Sequence, residues 1–242
     1  MKKVLLCVIA FIAGVFGAAA RNWSVSFTTE ASTQFLWRGF AVGQSPTIVP
    51  GITLNYTRDG FHFETGYCSV TELQKGHYLE MDLWATAKYK GFTFTALEQG
   101  LGNNLGIGGY KDNFELTLIY ELPLERLPAS ISWNTFVAGD DFNLDGSRAF
   151  SSYIELKVPF VYDRFYAGAT AGAVPFKSEG IYKNGGGFKF INLSLRTGYT
   201  LTAGENFELP LYAQYTFNPH FKNHFFVLGF SIMLLSLRVT NN

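Results

Sequence analysis

The dipeptide Asp59-Gly60 fixes the register of everything around it. It lies between ITLNYTR and FHFETGYCSV, two runs in which apolar and polar residues alternate. Asp-Gly readily supplies the positive φ angles of a two-residue type I′ turn, so the runs are expected to pair as a hairpin. Arg58 then faces Phe61, Thr57 faces His62 and Tyr56 faces Phe63. Successive strand residues point to opposite sides of a sheet. One side carries Ile52, Leu54, Tyr56, Phe61, Phe63 and Tyr67; the other carries Thr53, Asn55, Thr57, His62, Glu64 and Gly66. A wall that is apolar on one face and ionisable on the other fits a membrane barrel.

The same alternation runs along the rest of the chain. Trp23 to Arg38 reads as one long strand, with Glu30 and Arg38 on its polar side, followed by a loop from Gly39 to Thr47. Leu79 to Tyr89 alternates in the same way, and the Lys90-Gly91 turn returns it into a strand over Phe92 to Leu97. Further strands centre on Leu116, Ile131, Leu156, Ala169, Leu193 and Leu211, and the last lies near His224 to Met233. On the penultimate turn-linked pair, Ile191, Leu193 and Leu195 are expected outward, opposite Asn192, Ser194 and Arg196. The expected fold is all-β: a transmembrane antiparallel up-and-down barrel of about 12 strands, with short turns alternating with longer loops. A secreted β-sandwich gives the same periodicity. The barrel is preferred because the polar face mixes charge with Gly, Tyr and Trp.

Residues 1–20 read as a cleaved signal peptide, leaving a barrel over residues 21–242. Lys2 and Lys3 precede an apolar stretch from Val4 to Gly17, and Ala18 to Ala20 supply the small residues of a cleavage site. That stretch is shorter than the roughly 20 residues of a spanning helix. Without Lys2 and Lys3 the chain has 17 basic against 19 acidic residues, so charge gives no reason to expect nucleic acid as a partner. Cys68 is the single cysteine beyond the leader, which leaves no pair for a disulfide framework. The 24 Phe and 13 Tyr suit aromatic girdles at two membrane interfaces.

The run Ser32-Thr33-Gln34-Phe35-Leu36-Trp37-Arg38-Gly39, followed by Gln44, Ser45 and Pro46, resembles the opening signature of the TorF-like porins, a family of small outer-membrane barrels. Ser151 to Phe160, SSYIELKVPF, looks like that family's middle strand. Thr33-Gln34 departs from the family's Ser-Asp pair, and the chain continues through an overhang, Leu234 to Asn242, past the usual aromatic end. The resemblance implies a porin-like role in a Gram-negative outer membrane: passive passage of small hydrophilic solutes through a narrow charged lumen. The implied partners are outer-membrane lipid, such solutes, periplasmic chaperones and the barrel-assembly machinery.

Twelve inward positions are candidate pore-lining residues: Glu30, Arg38, His62, Glu64, Glu80, Asp82, Lys88, Glu115, Glu155, Lys157, Arg196 and Glu208. Charges ringing a narrow pore set electrostatic barriers to solutes. The same charges could instead pair and fill the lumen, giving a plugged barrel that acts through its loops. A lipid-modifying enzyme is a third possibility, but it needs a Ser or Asp beside an oriented His. His62 and Glu64 share a face with no Ser close in sequence, and Ser69 falls on the lipid side, so no catalytic residue is assigned. Asp141, Asn143 and Asp145 match the first half of a calcium loop, but Ser152 stands where a bidentate Glu belongs. A solvated loop is expected there, with neither metal nor cofactor.

Overall fold

The computed structural model describes residues 22–74, 78–101, 111–124, 127–204 and 207–238. The proposed signal peptide lies outside these. Among the described residues twelve strands close into one antiparallel barrel. They are β1 (Trp23–Ser32), β4 (Thr47–Arg58), β5 (Phe61–Glu72), β6 (Leu79–Tyr89), β7 (Phe92–Leu101), β8 (Lys111–Leu122), β9 (Ala129–Gly139), β10 (Ser152–Tyr162), β11 (Phe165–Val174), β12 (Lys189–Ala203), β13 (Phe207–Asn218) and β14 (Asn223–Arg238). β2 (Leu36–Trp37) and β3 (Phe40–Ala41) form a separate small hairpin. Each barrel strand pairs with its neighbours in sequence, and β1 closes the cylinder on β14.

The first hairpin forms as its sequence dictates. Arg58 pairs with Phe61, Thr57 with His62 and Tyr56 with Phe63. Asp59 and Gly60 both take positive φ, 49° and 77°, as a type I′ turn requires. Lys90 and Gly91 repeat this geometry at the β6–β7 turn. The outer wall is apolar, with Ile52, Phe94, Leu118, Leu195 and Leu228 exposed. At the short-turn end, Phe92 stacks on Tyr120 at 4.7 Å and Phe165 meets Tyr199 edge-on at 4.8 Å. Both terminal strand ends lie at this same end, because Ser24 pairs with Arg238.

Three strand limits and one facing differ from the sequence expectation. β1 stops at Ser32 instead of running to Arg38. The Ser32 hydroxyl donates to the Gln34 carbonyl (3.1 Å), and such local bonds compete with a ladder. β7 continues to Leu101, which brings Gln99 onto the inner wall. β14 runs on to Arg238, so the described part of the presumed overhang belongs to a strand: Leu235 and Leu237 lie opposite Phe27 and Val25. Ile191 is fully buried instead of facing outward. The β11–β12 register shifts there, with Gly172 opposite Asn192 and Ala173 opposite Phe190, and the unpaired Ile191 turns inward as a bulge residue.

Candidate functional site in the constricted lumen

The segment between β1 and β4 does not lie over the rim as a loop. It folds into the barrel as the β2–β3 hairpin, reversed by Arg38 and Gly39 with φ of 48° and 85°. This is the same residue-plus-glycine turn that joins β4 to β5. The neck of the hairpin is closed by Gln34, whose amide donates to the Gly43 carbonyl (2.8 Å), and by the Val42 N–H, which donates to the Phe35 carbonyl (3.1 Å). Glu72, buried at the end of β5, accepts from the N–H groups of Gln44 (2.5 Å), Ser45 (2.8 Å) and Tyr78 (2.9 Å). The tip is fixed by Asn218 at the end of β13, which donates to the Gly39 carbonyl (3.0 Å).

Arg38 therefore enters the lumen from the hairpin and not from a strand. Its guanidinium donates to both oxygens of Glu115 (2.5 and 2.7 Å), to Asn134 Oδ1 (3.0 Å) and to the Tyr182 hydroxyl (2.6 Å). It also lies over the rings of Trp37 and Tyr153, 4.8 Å from each centroid. Bidentate contact of this kind exploits the planar fork that Lys lacks. Tyr182 comes from the β11–β12 loop and stacks flat on Trp37, with centroids 5.4 Å apart and planes 3° from parallel. Phe136, Tyr153, Val174, Tyr182 and Ile191 form a buried apolar cluster, with Trp37, Phe40 and Ile181 packed against it. This cluster fills part of the lumen near the long-loop end.

Beneath the hairpin is a cavity of about 440 Å³. Its walls include Glu155, Lys157, Thr170, Asn192, Ser194, Arg196 and Gln214, and Leu36, Arg38 and Gly39 roof it. Lys157 pairs with Glu155 at 2.9 Å, and Glu155 also accepts from the Tyr153 hydroxyl at 2.5 Å. Arg196 Nε donates to Gln214 Oε1 (2.8 Å), and its guanidinium lies 4.1 Å from the centroid of the Tyr212 ring. The Tyr212 hydroxyl donates to Glu30 (2.6 Å).

The twelve predicted lining residues thus do not form a ring. Arg38 with Glu115, Glu155 with Lys157, and Glu30 with Arg196 about the Tyr212 ring gather beneath or beside the hairpin. A second group lies on the opposite wall. There Glu64 accepts from Trp84 Nε1 (2.7 Å) with His62 3.8 Å away, and Glu80 bonds the Tyr78 hydroxyl and Gln99. Asp82 meets the Cys68 thiol at 3.9 Å. Lys88 pairs with Glu121 at 2.5 Å towards the short-turn end, and Glu208 is exposed at that end of β13.

The segment 140–151 is largely exposed, as its composition implies, but Asp141 is anchored in the interior. Asp141 is fully buried and accepts from the N–H (2.8 Å) and hydroxyl (2.6 Å) of Ser151. Asn143 Oδ1 accepts from the Glu179 N–H (3.3 Å), and Asp145 accepts from Ser147. Asn143 also donates to the Ser147 hydroxyl (3.2 Å), so these side chains are engaged by serines and loop backbone. Among the described residues no cluster of three or more His, Cys, Asp or Glu stands ready for a metal ion.

Fold and lumen together define the molecule as a closed antiparallel β-barrel with an apolar exterior, a polar interior and an inserted hairpin. No family model and no curated protein matches the sequence. Among solved structures the chain is similar to the translocator domain of the autotransporter NalP from Neisseria meningitidis. The two share 11% identity over 96% of this chain and 95% of that one, with a TM-score of 0.38. It is also similar to Salmonella typhi OmpF in complex with daunomycin, at 7% identity over 89% of this chain and 98% of that one, TM-score 0.39.

Proposed function

We propose that this chain is an outer-membrane barrel that passes small hydrophilic solutes through a narrow charged lumen, with the β2–β3 hairpin as its constriction. The observation that carries this reading is the Arg38 hairpin, held across a polar lumen by Glu115 above an open polar cavity. An apolar exterior lets a closed sheet sit in lipid with every backbone group paired internally. The short turns, with the Trp23 end of β1 and the Arg238 end of β14, then face the periplasm, and the long loops face outward. A second reading, a plugged barrel working through its loops, draws on the dry cluster around Tyr182.

Single-channel conductance of the refolded protein in a planar bilayer separates the two. The pore reading expects discrete steps whose size rises when residues 36–41 are replaced by a Gly-Ser linker of equal length. Its ion selectivity should also shift when Glu155 becomes Gln. A bilayer that stays silent even with the linker variant, while circular dichroism shows folded β structure, overturns the pore and leaves the plugged barrel.

A further inference from the structure

The inner wall contains several glycines, and most of them are covered. A Cβ on Gly66 would strike the Trp84 ring, one on Gly172 the Tyr153 hydroxyl, one on Gly198 the Tyr166 ring and one on Gly229 the Tyr212 ring. In each case an aromatic side chain lies flat along the wall over a neighbouring glycine. Gly168 differs. A Cβ there would meet nothing nearer than the Val158 carbonyl oxygen at 3.9 Å. Gly168 pairs directly with Arg196, and both line the cavity beneath the hairpin. The missing cover opens space beside the Arg196 guanidinium.

The charges around that space balance in number, three cations against three carboxylates, but not in contacts. Arg38 is held by Glu115 and Lys157 by Glu155, whereas Glu30 is engaged by the Tyr212 hydroxyl. Arg196 touches only the neutral amide of Gln214 through Nε and rests on the Tyr212 ring. Among the described residues no carboxylate contacts it, so its two terminal nitrogens offer a fork of donors to the cavity. That fork matches the paired oxygens of a carboxylate or phosphate. Thr170, Asn192 and Ser194 add neutral donors and acceptors around it. A volume of about 440 Å³ lies within the range of small-molecule sites, roughly 300–1,000 Å³.

We propose that this cavity is a binding site for a small solute bearing a carboxylate or phosphate group, with Arg196 as its anion anchor and Gly168 as the opening that admits it. The proposal rests on the pore reading for the solute's route but not for its binding. Calorimetric titration of the refolded protein in detergent with succinate, inorganic phosphate and glycerol tests it. Either anion should bind saturably and glycerol should not, and whichever anion binds more tightly assigns the group. Arg196→Gln should weaken that binding at least tenfold, and Arg196→Lys should weaken it by less. Gly168→Phe, which gives this glycine the ring cover the others have, should abolish binding with Arg196 intact. If it fails to fold, Arg196→Gln still decides the matter. Equal anion binding by wild type and Arg196→Gln, or no anion binding by folded wild type, overturns the site. Discrete conductance without anion binding would sink the site alone, whereas anion binding to a protein silent in bilayers would sink the pore alone.

Discussion

Arg38 and Glu115 are 77 residues apart in sequence and joined by two parallel hydrogen bonds inside the barrel. One sits on an inserted hairpin and the other on β8, so the pair ties the constriction to the wall. Glu115 is almost completely buried, with 2% of its side chain exposed, and Arg38 retains 14%. Removing one member of such a pair leaves an uncompensated buried charge, which costs about 3–5 kcal/mol. Glu115→Ala should therefore release the hairpin before it unfolds the barrel. Chymotrypsin added to the folded protein should cleave after Trp37 or Phe40, sites that every variant keeps, at least tenfold faster in Glu115→Ala than in wild type. Replacing both residues, as Arg38→Met with Glu115→Leu, should recover much of the protection. Unchanged cleavage in the single variant would mean that the pair does not hold the hairpin.

Covered and uncovered glycines predict opposite responses to a small added side chain. Gly172→Val must displace the Tyr153 hydroxyl, and with it the bonds Tyr153 makes to Glu155 and Asn192. Overpacking of this kind costs about 1–3 kcal/mol. Gly168→Ala meets open space and should leave the urea midpoint of the lipid-embedded protein nearly unchanged. Equal losses for the two variants would contradict the geometry of the inner wall.

Much of this fold is legible in the sequence because one period of two residues controls it. Asp59-Gly60 and Lys90-Gly91 place their hairpins correctly, and the outward faces follow by alternation. Alternation misleads where a bulge changes the count, as at Ile191, and where a strand ends without breaking the pattern, as after Ser32. The inserted hairpin had a readable signal in Arg38-Gly39, the same turn chemistry set between Trp37 and Phe40. Tyr182 had none. It lies in a loop, and its burial depends on Trp37 and Arg38, which reach it from 144 or more residues away. Periodicity likewise identifies inward charges but cannot tell which of them pair across the lumen.

The β9–β10 loop and the β11–β12 loop that carries Tyr182 are joined by charged contacts that acid should loosen. Glu179 accepts from the Leu144 N–H (3.0 Å) and from Lys177 (3.0 Å), and in that order these hold its carboxyl below the usual carboxylate range. The Ser147 hydroxyl and N–H likewise hold Asp145 low, with Lys177 3.7 Å away adding a smaller effect. A carboxylate whose folded value is lowered stabilises the fold fully above its unfolded value. That contribution is lost as pH falls through the folded one. The effect should be small, because these groups lie in solvent and salt screens them. Hydrogen exchange at Leu144 and Ser147, corrected for intrinsic rates, should match at pH 7 and pH 5 and speed up below about pH 4. The same acceleration in Glu179→Gln at pH 7 would assign it to this carboxylate. A Glu179→Gln protein as protected as wild type would dismiss it.

Tyr182 is the residue on which both inserted segments depend. Its ring stacks on Trp37, lies 6.0 Å from Tyr153, and has no solvent exposure. Its hydroxyl accepts from Arg38, and its N–H donates to the Ser178 hydroxyl (3.2 Å). Truncating a buried aromatic to Ala costs about 3–5 kcal/mol, whereas Tyr182→Phe keeps the stacking and loses one hydrogen bond to a charged donor, about 1.5–3 kcal/mol. Tyr182→Ala should then expose both the hairpin and the β11–β12 loop to protease while the barrel keeps its circular dichroism. If the lumen conducts, Tyr182→Ala should also give larger single-channel steps than Tyr182→Phe, because only Ala removes volume from the constriction. Steps of equal size in the two variants would place the conducting path away from Tyr182, along the wall that carries Glu64, Glu80 and Asp82.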